Sequence, residues 1–314
     1  MKIETACRHL VDEFRARPVL RAGSLITTVF GDAIAPRGGS VWLGSLIKVM
    51  AEFGINERLV RTSVFRLTQE GWLQSEQIGR RSYYSLSEDG RERFDQATHR
   101  IYGAPSQTWD GNWCLLLLSG LQTAAKDVVR KECGWLGFGA LSANVLAHPT
   151  PNLADLDITL QRLQVAGSVV VLSGQTLRNE SGMRRLAHNS WELQALDTRY
   201  AQFVSAFRPL IRATRKRPQA QDKTAFIVRT LLIQEYRKIL LRDPLLPLEL
   251  LPANWRGPVA YQLCRDLYCE LHQSADNFLS DSMETAYGPL PPPGLAFWSR
   301  FGGLELQRKK VSNG

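Results

Sequence analysis

A chain of 314 residues exceeds what one hydrophobic core usually supports and predicts two or three domains. Its 44% hydrophobic and 22% charged residues are those of an ordinary globular protein and exclude a disordered or fibrous one. The formal net charge of +9 favours polyanionic partners, though a basic surface without a target has the same balance.

The first hundred residues carry the clearest pattern. Residues 22–35 read as a helix: Leu25, Ile26, Val29, Phe30 and Ile34 recur at helical spacing and Pro36-Arg37-Gly38-Gly39 ends it. Ser40 stands where an N-cap belongs, followed by Val41, Trp42, Leu43, Leu46, Ile47 and Met50 on one apolar face. After the turn Phe53-Gly54-Ile55, Asn56 caps a further helix that runs from Glu57 to about Glu70 and stops at Gly71. Two helices joined by a short glycine-containing turn form a helix-turn-helix.

The second of these helices has divided faces. Val60, Val64 and Leu67 fall together, as a core-facing stripe does. Arg58, Arg61, Thr62 and Gln69 fall on the other side with Arg66 at its edge, and these residue types hydrogen-bond guanine edges or phosphates. A solvated basic face has the same pattern. Phe65 also projects to the polar side and is expected to pack under the hairpin that follows. That hairpin comprises Trp72–Ile78, a Gly79-Arg80-Arg81 tip and the aromatic returning strand Ser82–Leu86. Helix, helix and hairpin in this order make a winged helix-turn-helix, and the tip arginines Arg80 and Arg81 suit a narrow minor groove. Ser87 then caps a helix to about Tyr102, with Asp89 in its first turn.

Beyond residue 103, Asn112–Leu118, Gly139–Leu146 and Ser168–Leu172 read as strands, with helices over 124–133 and 155–165 between them, as in a small α+β sandwich. From residue 181 the chain reads almost wholly helical, and its tail from Gly288 is rich in proline and glycine before Phe297, Trp298 and Phe301. The resulting division is 1–103, 104–180 and 181–314.

Several chemistries are disfavoured. Five cysteines without a C-x-x-C pair indicate neither a disulfide framework nor a zinc knuckle, and reduced thiols suit the cytoplasm. No apolar signal core follows Met1-Lys2-Ile3-Glu4-Thr5, and apolar runs such as Cys114–Leu118 are too short for a membrane. Histidines 9, 99, 148, 188 and 272 lack metal-ligand spacing, and no nucleotide-binding or hydrolase motif occurs. Asp155 and Asp157, two apart, do not share a helical face. Neither catalysis, a cofactor nor a metal is expected.

The motifs Phe30-Gly31-Asp32, Pro36–Gly39, Val41–Leu46, Glu57–Leu67, Glu70–Leu73 and Ile78–Leu86 together resemble the PaaX family. The resemblance continues through Trp109-Asp110-Gly111, Gly137–Leu141, Phe207–Leu210, Asp243–Pro252 and Arg300–Leu304, nearly the whole chain. It implies a homodimeric repressor of phenylacetate degradation genes that binds double-stranded operator DNA and leaves it when phenylacetyl-coenzyme A binds. It also implies a ferredoxin-like, Cas2-like middle domain suited to dimerisation and a helical C-terminal domain suited to the effector. Cas2 nucleases carry an aspartate at the end of their first strand; here Leu118-Ser119-Gly120 stands there, which argues against the alternative of a nucleic-acid-processing enzyme. The other alternative is a winged helix that contacts protein.

An aryl-coenzyme A effector needs cations for phosphate and an apolar or aromatic pocket. Residues 205–240 hold nine basic residues against two acidic ones. Arg208, Arg212, Tyr236, Arg237 and Trp255 are therefore the candidate effector residues. Arg215-Lys216-Arg217 reads as a solvated loop, and Phe207 and Phe226 as core.

Overall fold

A computed structural model describes residues 2–17, 22–104, 109–178, 180–216 and 220–304. It is an α+β protein. In chain order the elements begin with α1 (Ile3–Arg15), α2 (Ala22–Val29), β1 (Ser40–Trp42), α3 (Leu43–Ala51), α4 (Glu57–Gln69), β2 (Leu73–Ile78), β3 (Arg81–Leu86) and α5 (Glu88–Tyr102). Next come β4 (Asn112–Leu117), α6 (Thr123–Trp135), β5 (Gly139–Ser142), β6 (Val145–His148), α7 (Leu153–Arg162) and β7 (Val170–Gln175). The chain continues with α8 (Glu180–Ser190), α9 (Leu193–Lys216), α10 (Asp222–Leu240), α11 (Gly257–Ser282), β8 (Glu284–Thr285), β9 (Gly288–Pro289) and α12 (Leu295–Trp298).

These elements form two compact units. One comprises residues 1–104, 202–240 and 259–314; the other comprises 105–201 and 241–258. The chain is thus grouped differently from its linear division, because residues 181–201 and 241–258 cover one face of the middle sheet.

In the first unit, β1, β3 and β2 form an antiparallel sheet in that order. Ser40 is a strand residue rather than the expected N-cap. Ser40, Val41 and Trp42 pair with Ser85, Tyr84 and Tyr83, and α3 starts only at Leu43. Val41 is fully buried there, and the β3 ladder pairs backbone that a helix start would leave open. The expected caps at Asn56 and Ser87 are present: Asn56 Oδ1 accepts from Leu59 N at 2.9 Å and Ser87 Oγ from Gly90 N at 2.9 Å. The helix expected over 22–35 is α-helical to Val29, widens into a π turn over Phe30–Ile34 and ends as a 3-10 turn over Ala35–Arg37.

That π turn places Asp32 in a buried ionic cluster drawn from distant parts of the chain. Asp32 accepts from Arg229 Nε (2.9 Å), Arg300 Nη1 (2.9 Å) and the hydroxyls of Tyr102 (2.7 Å) and Tyr268 (2.9 Å). Asp276 accepts from Arg229 at 2.6 Å and pairs with Arg37 at 2.5 Å. The guanidinium groups of Arg37, Arg229 and Arg300 lie 5.0, 5.9 and 4.8 Å from the Phe297 ring centre. Burial alone would raise the Asp32 carboxyl, but Arg229 and Arg300, with both tyrosine hydroxyls, hold it below the ordinary carboxylate range. Gly31 is required beside it, since a Cβ there would sit 2.5 Å from the Phe94 ring. The cluster fastens the winged helix to α10, α11 and the C-terminal residues.

In the second unit the strand order is β5-β6-β4-β7, all antiparallel, with α6 and α7 connecting them as βαββαβ, a ferredoxin-like topology. The single strand expected over 139–146 is instead the hairpin of β5 and β6. Alternation along β4 divides two cores. Cys114 and Leu116 pack with Val129, Cys133, Leu156 and Leu160 of α6 and α7. Trp113 and Ala147 pack on the other side with Ala187, Leu193, Leu246 and Leu250. Among the described residues β7 pairs with β4 alone and leaves its other edge open, and Val170, Val171 and Leu172 on it are exposed. Among the described residues no helix is long and apolar enough to cross a membrane.

Candidate nucleic-acid interface

The candidate surface is built on α4. Its rear face, Val60, Ser63, Val64 and Leu67, is buried in the first unit. Its front face exposes Arg58, Arg61, Thr62, Phe65, Arg66 and Gln69, so the structure brings the expected polar residues together on one side. Their chemistry is not uniform. Arg61 is held by Glu57 at 2.8 Å and Arg66 by Glu70 at 3.3 Å, both exposed pairs of small energetic weight that a phosphate can replace. Thr62 donates its hydroxyl to the Arg58 carbonyl at 2.9 Å, which leaves its lone pairs and methyl to face outward. Arg58 is in no ion pair among the described residues. Phe65 does not pack under the hairpin as expected; it is 65% exposed, because β2 leaves α4 from its buried side.

The wing is the β2–β3 hairpin, in which Ile78 pairs with Arg81 across a two-residue turn. Gly79 takes φ +62, a backbone that favours glycine, as the first position of a tight hairpin turn does. Arg80 therefore occupies the tip. Arg81, expected at the tip, is the first residue of β3. Its guanidinium lies 4.2 Å from the Trp42 ring centre and 2.9 Å from Glu284 of β8. Neither partner was foreseeable from spacing, since Glu284 is 203 residues away.

The candidate effector residues do not share one environment. Arg237 donates to Thr28 Oγ1 (2.7 Å) and to the carbonyl (2.8 Å) and hydroxyl (3.0 Å) of Ser24, fastening α10 to α2. Tyr236 is buried against Phe203. Arg208 and Arg212 are exposed on α9. Trp255 lies in the other unit, edge-on to Tyr200. Phe207 and Phe226 are fully buried, as expected of core. Arg217 lies outside the described residues. Among the described residues no group of three or more histidine, cysteine or acidic side chains could hold a metal ion.

Comparison with known proteins gives the same order of parts. Residues 21–90 match the family of PaaX-like proteins, 106–186 the PaaX protein central Cas2-like domain and 191–281 the PaaX-like protein C-terminal domain. The transcriptional repressor PaaX of Escherichia coli (strain K12) is 40% identical over 313 residues, 99% of this chain and 98% of that protein. The chain belongs to the PaaX family. An uncharacterized protein of Mycobacterium tuberculosis superposes with a TM-score of 0.49 at 24% identity, over 74% of this chain and 89% of that one. Within the PaaX family frame, the exposed face of α4 and the wing belong to the PaaX-like match, and the four-stranded sheet to the central Cas2-like match.

Proposed function

We propose that this protein is a transcriptional repressor of phenylacetic acid degradation genes, a regulator rather than an enzyme, released from operator DNA by phenylacetyl-coenzyme A. The observation that carries the DNA-binding part is the Asn56-capped helix α4, whose exposed face aligns Arg58, Arg61, Thr62 and Gln69 beside a hairpin tipped by Arg80. Identity of 40% to a transcriptional repressor supports the regulatory part. In this reading Arg58, Arg61, Thr62, Arg66 and Gln69 meet base edges or nearby phosphates in the major groove, and the wing arginines Arg80 and Arg81 meet the adjacent minor groove between its phosphates. Two copies, paired through the ferredoxin-like units, would set half-sites one helical turn of about 34–36 Å, or a multiple, apart. The open edge of β7 supports pairing of copies, since an unpaired ladder flanked by Val171 and Leu172 accepts another strand. The effector follows from the family alone. Arg208 and Arg212, exposed four residues apart on α9, are the candidate residues still placed to meet its phosphates.

The test is binding to promoter DNA of a phenylacetate degradation operon at several salt concentrations, titrated with phenylacetyl-coenzyme A, free phenylacetate and coenzyme A. Specific, steeply salt-dependent binding released only by the thioester is expected. Specific binding released by none of the three retains the repressor and removes the effector. Absence of specific binding at low salt removes the repressor of that promoter.

A further inference from the structure

We propose that Phe65 reads sequence, its ring packing on the C5-methyl group of a thymine in the major groove. This deepens the reading of α4 as a recognition helix and rests on it. At roughly 100° per residue, Phe65 lies at the middle of the arc shared by Arg58, Arg61, Thr62 and Gln69, opposite the buried Val60, Ser63, Val64 and Leu67. It is 65% exposed. Among the described residues no aromatic ring or guanidinium stacks on it.

Folding does not account for a phenylalanine at this place. An apolar ring left in water contributes no burial, and an aromatic residue forms helix less well than the lysine or glutamate usual on a solvated face. A partner that dehydrates the ring does account for it. Such a partner must also satisfy the unpaired guanidinium of Arg58, the outward lone pairs of Thr62 and the amide of Gln69, all within one helix face. The edges of base pairs in a major groove offer that combination: hydrogen-bonding atoms throughout, and one apolar group, the thymine methyl. The centre of the face thus carries the apolar contact and its flanks the polar ones.

The experiment starts from duplexes that the full-length protein selects from a random library. In the selected sequence each thymine is replaced, one at a time, by deoxyuridine, which lacks only the methyl group. Wild-type protein is expected to bind about fourfold more weakly at one position per half-site, the factor that burial of one methyl-sized group supplies. Phe65→Ala, with an unchanged melting temperature because the ring is exposed, is expected to bind the thymine and uracil forms at that position equally. It should also keep its salt dependence. Equal binding of every uracil form by the wild type overturns the proposal, as does a Phe65→Ala variant that still prefers thymine. If no duplex is selected at all, the recognition-helix reading itself falls and takes this one with it; a selected duplex without methyl discrimination removes only the role of Phe65.

Discussion

Replacing Asp32 with asparagine keeps the shape of the side chain and removes its charge. Asp32 is 2% exposed and shares the cluster with Arg229 and Arg300, themselves 0% and 4% exposed. In Asp32→Asn, buried Arg300 loses its carboxylate partner, and Arg37 and Arg229 are left to share the single carboxylate of Asp276. The new amide also points a donor at donors. Breaking a buried ion pair from one side costs about 3–5 kcal/mol, a large part of a domain's stability of about 5–15 kcal/mol. In equilibrium urea unfolding this lowers the midpoint of the unit containing Asp32 by more than about 1 M, with the transition of the ferredoxin-like unit unmoved. The pH dependence gives the sign. The folded carboxyl titrates below its unfolded value, so its contribution is complete above the unfolded value, about 3.9, and is lost as pH falls through the lower, folded one. The gap between wild type and variant therefore narrows below about pH 4. A midpoint within about 0.2 M of wild type at pH 7 would refute the claim that this cluster fastens the unit.

Other outcomes follow from single features. Arg80→Ala should weaken DNA binding evenly across sequences and reduce the slope of log affinity against log salt by about one, read by fluorescence anisotropy. Arg58→Ala should instead cost about 1–3 kcal/mol at one base position and relax selectivity there. If two copies pair through β7 as proposed, the wild type should sediment as a dimer and Leu172→Glu, on the open edge of that strand, as a monomer with the fold intact. Burial pushes the Cys7, Cys133 and Cys269 thiols up to about 11 and raises the Cys264 thiol well above its ordinary value. The native protein at pH 8 should therefore react with Ellman's reagent about a hundredfold more slowly than the unfolded chain.

The helices of the winged helix-turn-helix are legible in the sequence because their signals are local. Asn56 and Ser87 cap, Val60, Val64 and Leu67 repeat at helical spacing, and Gly71 ends α4. Strand β1 is not legible: three residues carry no period, and Ser40 followed by apolar side chains reads as a helix start until β3 is present to pair with it. The β5–β6 hairpin is hidden for a related reason, since Ala143-Asn144 is a weak turn signal between apolar runs. Local charge density misleads at α10. Arg229 and Arg237 count as cations of a basic stretch, yet one is fully buried against Asp32 and the other holds α2. Their partners lie 197 and 213 residues away, beyond any spacing rule. Phe65 is the converse case, where the helical projection places the ring on the polar face correctly and only an assumption of packing hides its exposure.

The return of the last residues to the first domain bears on the order in which the protein is made. Arg300 donates to the carbonyl of Asp32 and to its carboxylate, and Gly294 N to the carbonyl of Pro36. The N-terminal winged helix leaves the ribosome long before these residues exist. At about 5–20 residues per second, the interval is on the order of ten to forty seconds. Throughout it Asp32 lacks Arg300, the last of its partners to be made. The winged helix is thus completed last although it is synthesised first, and a ribosome that stops before Arg300 releases it without its lock.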